Sequence, residues 1–147
     1  MTGEADRLAR RCADAMWQED EASRGLGMHL VEVGAGRASL GMSVLPQMVN
    51  GHGILHGGYI FTLADSAFAF ACNSYNRRAV AQHCAITFVQ PGRLGDRLVA
   101  QAVERVREGR SGIYDVTVTR TDGAVIAEFR GHSRTIEGTL CSDVAQD

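Results

Sequence analysis

The sequence predicts an α+β fold in which a curved antiparallel sheet wraps one long central helix. Two observations carry this. Residues Tyr59 to Asn73 form a run that is apolar on every side (Tyr59, Ile60, Phe61, Leu63, Ala64, Ala67, Phe68, Ala69, Phe70, Ala71, Cys72). A helix without a polar face has to be buried all round. Six strand-like segments surround it, set off by turn residues, and seventeen glycines stand against two prolines, as befits a chain of many turns and strand bends. One sheet leaves part of such a helix bare, so at least a dimer is expected to cover the rest.

The elements follow in order. In residues 6–22, Leu8, Cys12, Ala15 and Met16 recur at helical spacing among charges, which predicts an amphipathic helix within a helical N-terminal segment, 1–25. Strands are expected at Met28–Val33 and Ala38–Val44, joined at Gly34-Ala35-Gly36. That turn superficially resembles a dinucleotide fingerprint. Ser39 stands where the third glycine belongs, however, and a strand follows it, so it reads as a hairpin turn. Asn50-Gly51-His52-Gly53-Ile54-Leu55-His56-Gly57-Gly58 reads as a tight loop with exposed backbone, since each interior glycine costs a helix about 1 kcal/mol relative to alanine. After the central helix, Val80–Val89 is a strand that stops at Pro91-Gly92, and Gly95-Asp96 turns into Leu98–Arg107, where Leu98, Ala100, Ala102 and Glu104 alternate with their neighbours. Gly109 to Gly112 leads into Ile113–Arg120, and Asp122-Gly123 is a hairpin signal before the last strand, Ala124–Ile136. Residues 138–147 are expected to be a disordered tail, and 1–147 a single domain.

Composition excludes several classes. The net charge is −2, with 45% hydrophobic and 22% charged residues, and the pI is about 6.2. No basic stripe is available for nucleic acid or a membrane surface. No apolar run is long enough to span a bilayer, and residues 1–20 are too charged for a signal peptide, so a cytoplasmic protein is expected. Cys12, Cys72, Cys84 and Cys141 have no metal-like spacing. Cys72 and Cys84 read as buried thiols.

Chemistry concentrates at the loop and helix. Asp65 is the one charge inside the apolar run, with no Lys or Arg within a turn of it. A carboxylate there is expensive unless it is paired, hydrogen-bonded or used. Either it faces a crevice or a neighbouring strand, or it does chemistry, and the second reading is preferred. A helix N-terminus offers unpaired amides and a partial positive charge, and the glycines at 57 and 58 let a substrate oxygen come close. A carboxylate plus amide donors are the parts needed to attack a carbonyl and hold the oxyanion. His52 and His56, four apart, would suit zinc only on a helix, which Gly51, Gly53, Gly57 and Gly58 oppose; no metal is expected, and His52 reads as a hydrogen-bonded loop residue.

Asn50-Gly51-His52, His56-Gly57-Gly58, Leu63-Ala64-Asp65 and a strand ending Phe88-x-x-Pro91-Gly92 resemble the hotdog-fold acyl-CoA thioesterases. Within them the likeness is greatest to the branch acting in bacterial phenylacetic acid degradation, and it extends to Phe129-Arg130-Gly131-His132-Ser133. The resemblance implies a hotdog fold and a dimer whose sheets run together, usually paired into a homotetramer. It implies no cofactor beyond the substrate's CoA, and an active site shared across the dimer interface. By matching position, Asp65 would be nucleophile or general base, Gly57 the amide donor to the thioester oxygen, Asn50 the orienter of water or substrate, and His56 a shaper of the oxyanion site. Gly58, Leu55, Tyr59 and Phe68 would line the acyl pocket. The CoA phosphates would lie near Arg93, Arg107, Arg110 or Arg130, of which Arg110 is preferred. The implied reaction is hydrolysis of aryl-acetyl-CoA esters, including phenylacetyl-CoA and its hydroxylated forms. The rivals are a hotdog dehydratase or hydratase acting on hydroxyacyl thioesters, and a non-catalytic acyl-CoA sensor.

Overall fold

A computed structural model describes residues 3–142. The chain runs α1 (Glu4–Glu19), α2 (Glu21–Gly25), β1 (His29–Gly34), β2 (Arg37–Ser43), a single 3₁₀ turn (Pro46–Met48), α3 (Gly57–Cys72), β3 (Ala79–Phe88), β4 (Arg97–Glu108), β5 (Ser111–Arg120) and β6 (Val125–Thr135). The six strands form one fully antiparallel sheet in the order β1-β2-β4-β5-β6-β3. The expected curved sheet around one long helix is the observed architecture.

Strand alternation decides which face meets α3. Leu98, Ala100 and Ala102 of β4, Tyr114, Val116 and Val118 of β5, and Phe129 of β6 point inward and are buried against Leu63, Ala64, Ala67, Phe68 and Phe70 of the helix. The Phe68 ring lies 5.7 Å from Tyr114 and 5.9 Å from Phe129, centroid to centroid. It fits because β6 carries Gly131 beneath it: a Cβ at 131 would come 2.8 Å from the Phe68 ring. On its far side α3 meets α1, with Trp17 6.1 Å from Phe70. Asp6 ties α1 to the first hairpin by accepting from the Ala35 N–H at 2.9 Å and from Arg37.

Several expectations need correction. The single helix over 6–22 is two helices, because Asp20 breaks the run and accepts from the Ser23 N–H and hydroxyl at 2.9 and 2.7 Å as the cap of α2. Gly57 and Gly58 are not loop residues: they form the first turn of α3, where the helix has yet to close its backbone bonds and glycine costs little. Nor is α3 buried all round, since Gly58 is exposed and Phe61, Thr62, Asp65 and Ala69 are half-buried along one stripe. Cys72 is buried, but Cys84 is only half-buried on β3. Residues 138–142, assigned to the tail, are docked: the Leu140 and Cys141 N–H groups donate to Asn76 Oδ1 at 2.9 and 3.0 Å, and Asn76 Nδ2 donates to the Cys141 carbonyl. Residues 143–147 of that tail lie outside the described residues. No helix among the described residues is long and apolar enough to cross a membrane.

Candidate active site at the mouth of the central helix

The loop before α3 is fixed by its own side chains. Asn50 Oδ1 accepts from the N–H groups of His52 (2.9 Å) and Ile54 (3.3 Å), and the Asn50 N–H donates to the Ile54 carbonyl at 2.8 Å. This is the local turn chemistry that short amide side chains supply. Isolated bridges from Val49 to Leu55 and from Ile54 to Arg93 then hold the loop against neighbouring chain. The Leu55 N–H donates to Gly92 and the His56 N–H to Met48. Asn50 thus spends its oxygen on the loop, while its amide nitrogen has no partner among the described residues.

His56 is the N-cap of α3: its Nδ1 accepts from the Gly58 N–H at 2.9 Å. An Nδ1 that accepts has no proton, so in the neutral ring the proton sits on Nε2. The bond also spends the Gly58 amide. Of the two glycine donors expected, Gly58 is occupied and only the Gly57 N–H is without a partner among the described residues. Gly57 also leaves room for Phe88, because a Cβ there would come 2.8 Å from the tip of that half-exposed ring and one of the two would have to shift.

Gly57 lines a cavity of about 390 Å³ together with Asn50, Ile54, Leu55, Ile60, Phe88, Val89, Gln90 and Pro91. Leu55 is where it was expected. Tyr59 instead packs edge-on to His56 at 6.2 Å and faces the core cluster. Phe68 is 1% exposed and sealed in the core, so it lines no pocket within the chain. Residues 88–91 and Ile60 were not anticipated as lining. Their signal was the Phe88-x-x-Pro91-Gly92 end of a strand, whose apolar Phe88 and Val89 remain more than half exposed. Arg110 sits in the β4–β5 turn and donates to the Thr135 carbonyl, at the opposite end of α3 from Gly57. Arg107 is at that end too, stacked 3.5 Å over Tyr75. Arg130 is engaged with Asp115 at 2.6 Å. Arg93 alone of the four stands beside the loop.

Asp65 is half-buried on α3 and makes no hydrogen bond or ion pair among the described residues. Burial pushes its carboxyl above the ordinary carboxylate range. Its charge in turn helps burial push the Cys72 thiol up to about 12. Asp65 lies eight residues along α3 from Gly57, about 12 Å at 1.5 Å per residue. Within one chain, then, the carboxylate and the free amide stand about two turns apart on the same helix.

Residues 52–127 match the thioesterase superfamily model, and the chain belongs to that superfamily: it is a thioester hydrolase with the hotdog fold. Among individual proteins it is 41% identical to acyl-coenzyme A thioesterase PaaI of Escherichia coli over 131 residues, which is 89% of this chain and 94% of that one. The solved structure of E. coli PaaI, from the phenylacetic acid degradation operon, superposes with a TM-score of 0.91 at 40% identity, covering 92% of this chain and 99% of that chain. A variant of phenylacetic acid degradation protein PaaI from Thermus thermophilus superposes with a TM-score of 0.77 at 33% identity, covering 80% and 100%.

Proposed function

We propose that this enzyme hydrolyses aryl-acetyl-CoA esters, phenylacetyl-CoA and hydroxylated phenylacetyl-CoA among them, to the free acid and CoA in the cytoplasm. The observation that carries the reading is Gly57 at the positive end of α3, whose N–H has no partner among the described residues and which lines an apolar cavity large enough for an aryl-acetyl group. The thioester oxygen would accept from Gly57. Asp65 would then either draw a proton from a water that attacks the carbonyl carbon, or attack it directly to give a mixed anhydride that water opens. In both routes the carbon–sulfur bond breaks, CoA leaves as the thiolate, and the negative oxygen is held by the amide. Asn50 Nδ2 would orient water or substrate, and His56 keeps the amide direction by capping the helix.

The 12 Å between Asp65 and Gly57 favours a site built from two chains, the loop from one and the carboxylate from the other. The edge strand β3 pairs only with β6 within the chain, and the half-covered stripe of α3 lies toward a partner in this reading. A homodimer joined along β3 would make two such sites. The apolar Val103 and Val106, 45% and 47% exposed on the convex face, favour pairing of dimers into a homotetramer.

The test is thiol release from phenylacetyl-, hydroxyphenylacetyl-, benzoyl-, medium-chain and crotonyl-CoA by the wild type and by Asp65→Asn. Turnover of the aryl-acetyl esters, with a loss of about 100-fold or more in the variant, is the expected result. Hydration of crotonyl-CoA without thiol release would make the chain a hydratase, and binding without turnover would make it an acyl-CoA sensor.

A further inference from the structure

Two thiols lie in contact where the C-terminal segment docks. Cys12 Sγ on α1 stands 3.9 Å from Cys141 Sγ, although the two are 129 residues apart in the chain. Cys12 is 1% exposed, whereas Cys141 is half-buried. Asn76 holds the pair together. Its Oδ1 lies 3.8 Å from Cys12 Sγ and 3.5 Å from Cys141 Sγ, and it accepts from the N–H groups of Leu140 and Cys141. Asn76 is itself buried, with a φ of 60°, a backbone conformation that asparagine tolerates better than most residues. With its backbone and side chain both fixed, Asn76 sets where each thiol sits.

We propose that Cys12 and Cys141 form a redox clasp, a reversible disulfide that locks the C-terminal segment onto α1. Sulfurs already in contact need only side-chain rotation and a small shift to reach the bonding distance of about 2.0 Å. Cys141 stands outside any helix or strand, so its backbone can supply that shift. No group of three or more His, Cys, Asp or Glu among the described residues could hold a metal ion, which leaves thiol chemistry as the use of the pair. Unequal burial assigns the roles. Cys141 is the thiol that a reagent reaches first. Burial, and next the adjoining Cys141 thiol, push the Cys12 thiol up to about 12, so Cys12 does not open the exchange. The oxidant is a low-molecular-weight disulfide, RSSR. The Cys141 thiolate attacks one of its sulfurs, forming a mixed disulfide and expelling RS⁻. Cys12 then gives up its proton, attacks Cys141 Sγ and expels the second RS⁻. Two protein thiols lose two electrons, one RSSR is reduced to two RSH, and the thiol protons end on the leaving groups. A reducing cytoplasm keeps such a pair open at rest, as it does for redox-sensing thiols. Once closed, the clasp joins the ends of a long loop, the case in which a cross-link restricts the unfolded chain most.

The test is to treat the full chain with oxidised glutathione, block the remaining thiols in denaturant with N-ethylmaleimide, and map the peptides by mass spectrometry. The expected product is an intramolecular cross-link between Cys12 and Cys141 that dithiothreitol removes. The oxidised chain is expected to melt about 5 °C or more above the reduced one, a difference absent from Cys141→Ser. Cys12→Ala should stop at a glutathione adduct on Cys141, through which the wild type only passes. The proposal is overturned if both thiols are recovered free, if either pairs with a different cysteine, or if the adduct on Cys141 persists in the wild type. It is overturned equally if the cross-linked chain melts where the reduced chain does.

Discussion

Two residues set opposing demands on the molecule. Asp65 is a half-buried carboxylate, without a partner among the described residues, whose proton affinity is raised by burial. A folded-state pKa above the unfolded value means that the folded chain prefers the protonated form. This group's contribution to stability is therefore complete below its unfolded pKa of about 3.9, and it is lost as pH rises through the raised folded value. Asp65→Asn should accordingly raise the melting temperature at pH 7 while hydrolysis falls by about 100-fold or more. Thermal scans from pH 7 down to pH 3 should show that advantage shrinking; an Asn variant less stable than wild type at pH 7 would contradict the reading. With Asp65 acting as proposed, a pH–rate profile is expected to place the acid limb of kcat/KM above the ordinary carboxylate range. At Gly57 the demand is spatial. Gly57→Ala places a methyl group 2.8 Å from the tip of the Phe88 ring, so that ring or the first turn of α3 must shift, and a loss of up to about 10²–10³ in kcat is expected as the donor is displaced or covered. Gly57→Ala combined with Phe88→Ala should recover thermal stability more than activity.

At the scale of the element, α3 is an apolar helix whose start is decided by one side chain. His56 caps it through Nδ1 on the Gly58 N–H, and no acidic residue stands in its first turn. His56→Ala should cost about 1 kcal/mol, a fall of about 2–4 °C for a chain of this size, measurable by calorimetry. His56→Asn, which restores an acceptor at the cap, should recover most of that stability. Strands and turns were legible in the sequence to within a residue or two, because alternation and turn glycines are local signals. The break at Asp20 was less legible, since a cap inside a periodic stretch looks like one more polar position. The docking of residues 138–142 was not legible at all, because it depends on Asn76, more than sixty residues away in the chain.

For the whole molecule, the sheet order leaves β3 at an edge and the α3 stripe half-covered, where the proposed two-chain site would seat its partner. Subunit complementation tests it. Chains carrying Asp65→Asn and chains carrying Gly57→Ala are each expected to be inactive alone. Co-expressed in equal amounts they should form hybrid dimers with one intact site, recovering about a quarter of wild-type activity by random pairing. Asn50→Ala serves as the loop variant if Gly57→Ala does not fold. No recovery, with hybrids shown by mass spectrometry, would mean that each site lies within one chain.

The sequence by itself determined the helix, the strands and the turns, because hydrophobic periodicity and glycine placement act over neighbouring residues. It also marked Asp65, since a lone charge in an apolar run is conspicuous without coordinates. Only the tertiary structure decided which residues meet. It put Phe68 in the core, left Phe88 and Val89 open beside Gly57, spent the Gly58 amide on His56, and carried Arg107 and Arg110 to the far end of α3. Those outcomes depend on strand order and on the length of one helix, which are properties of the packed chain and of no local stretch.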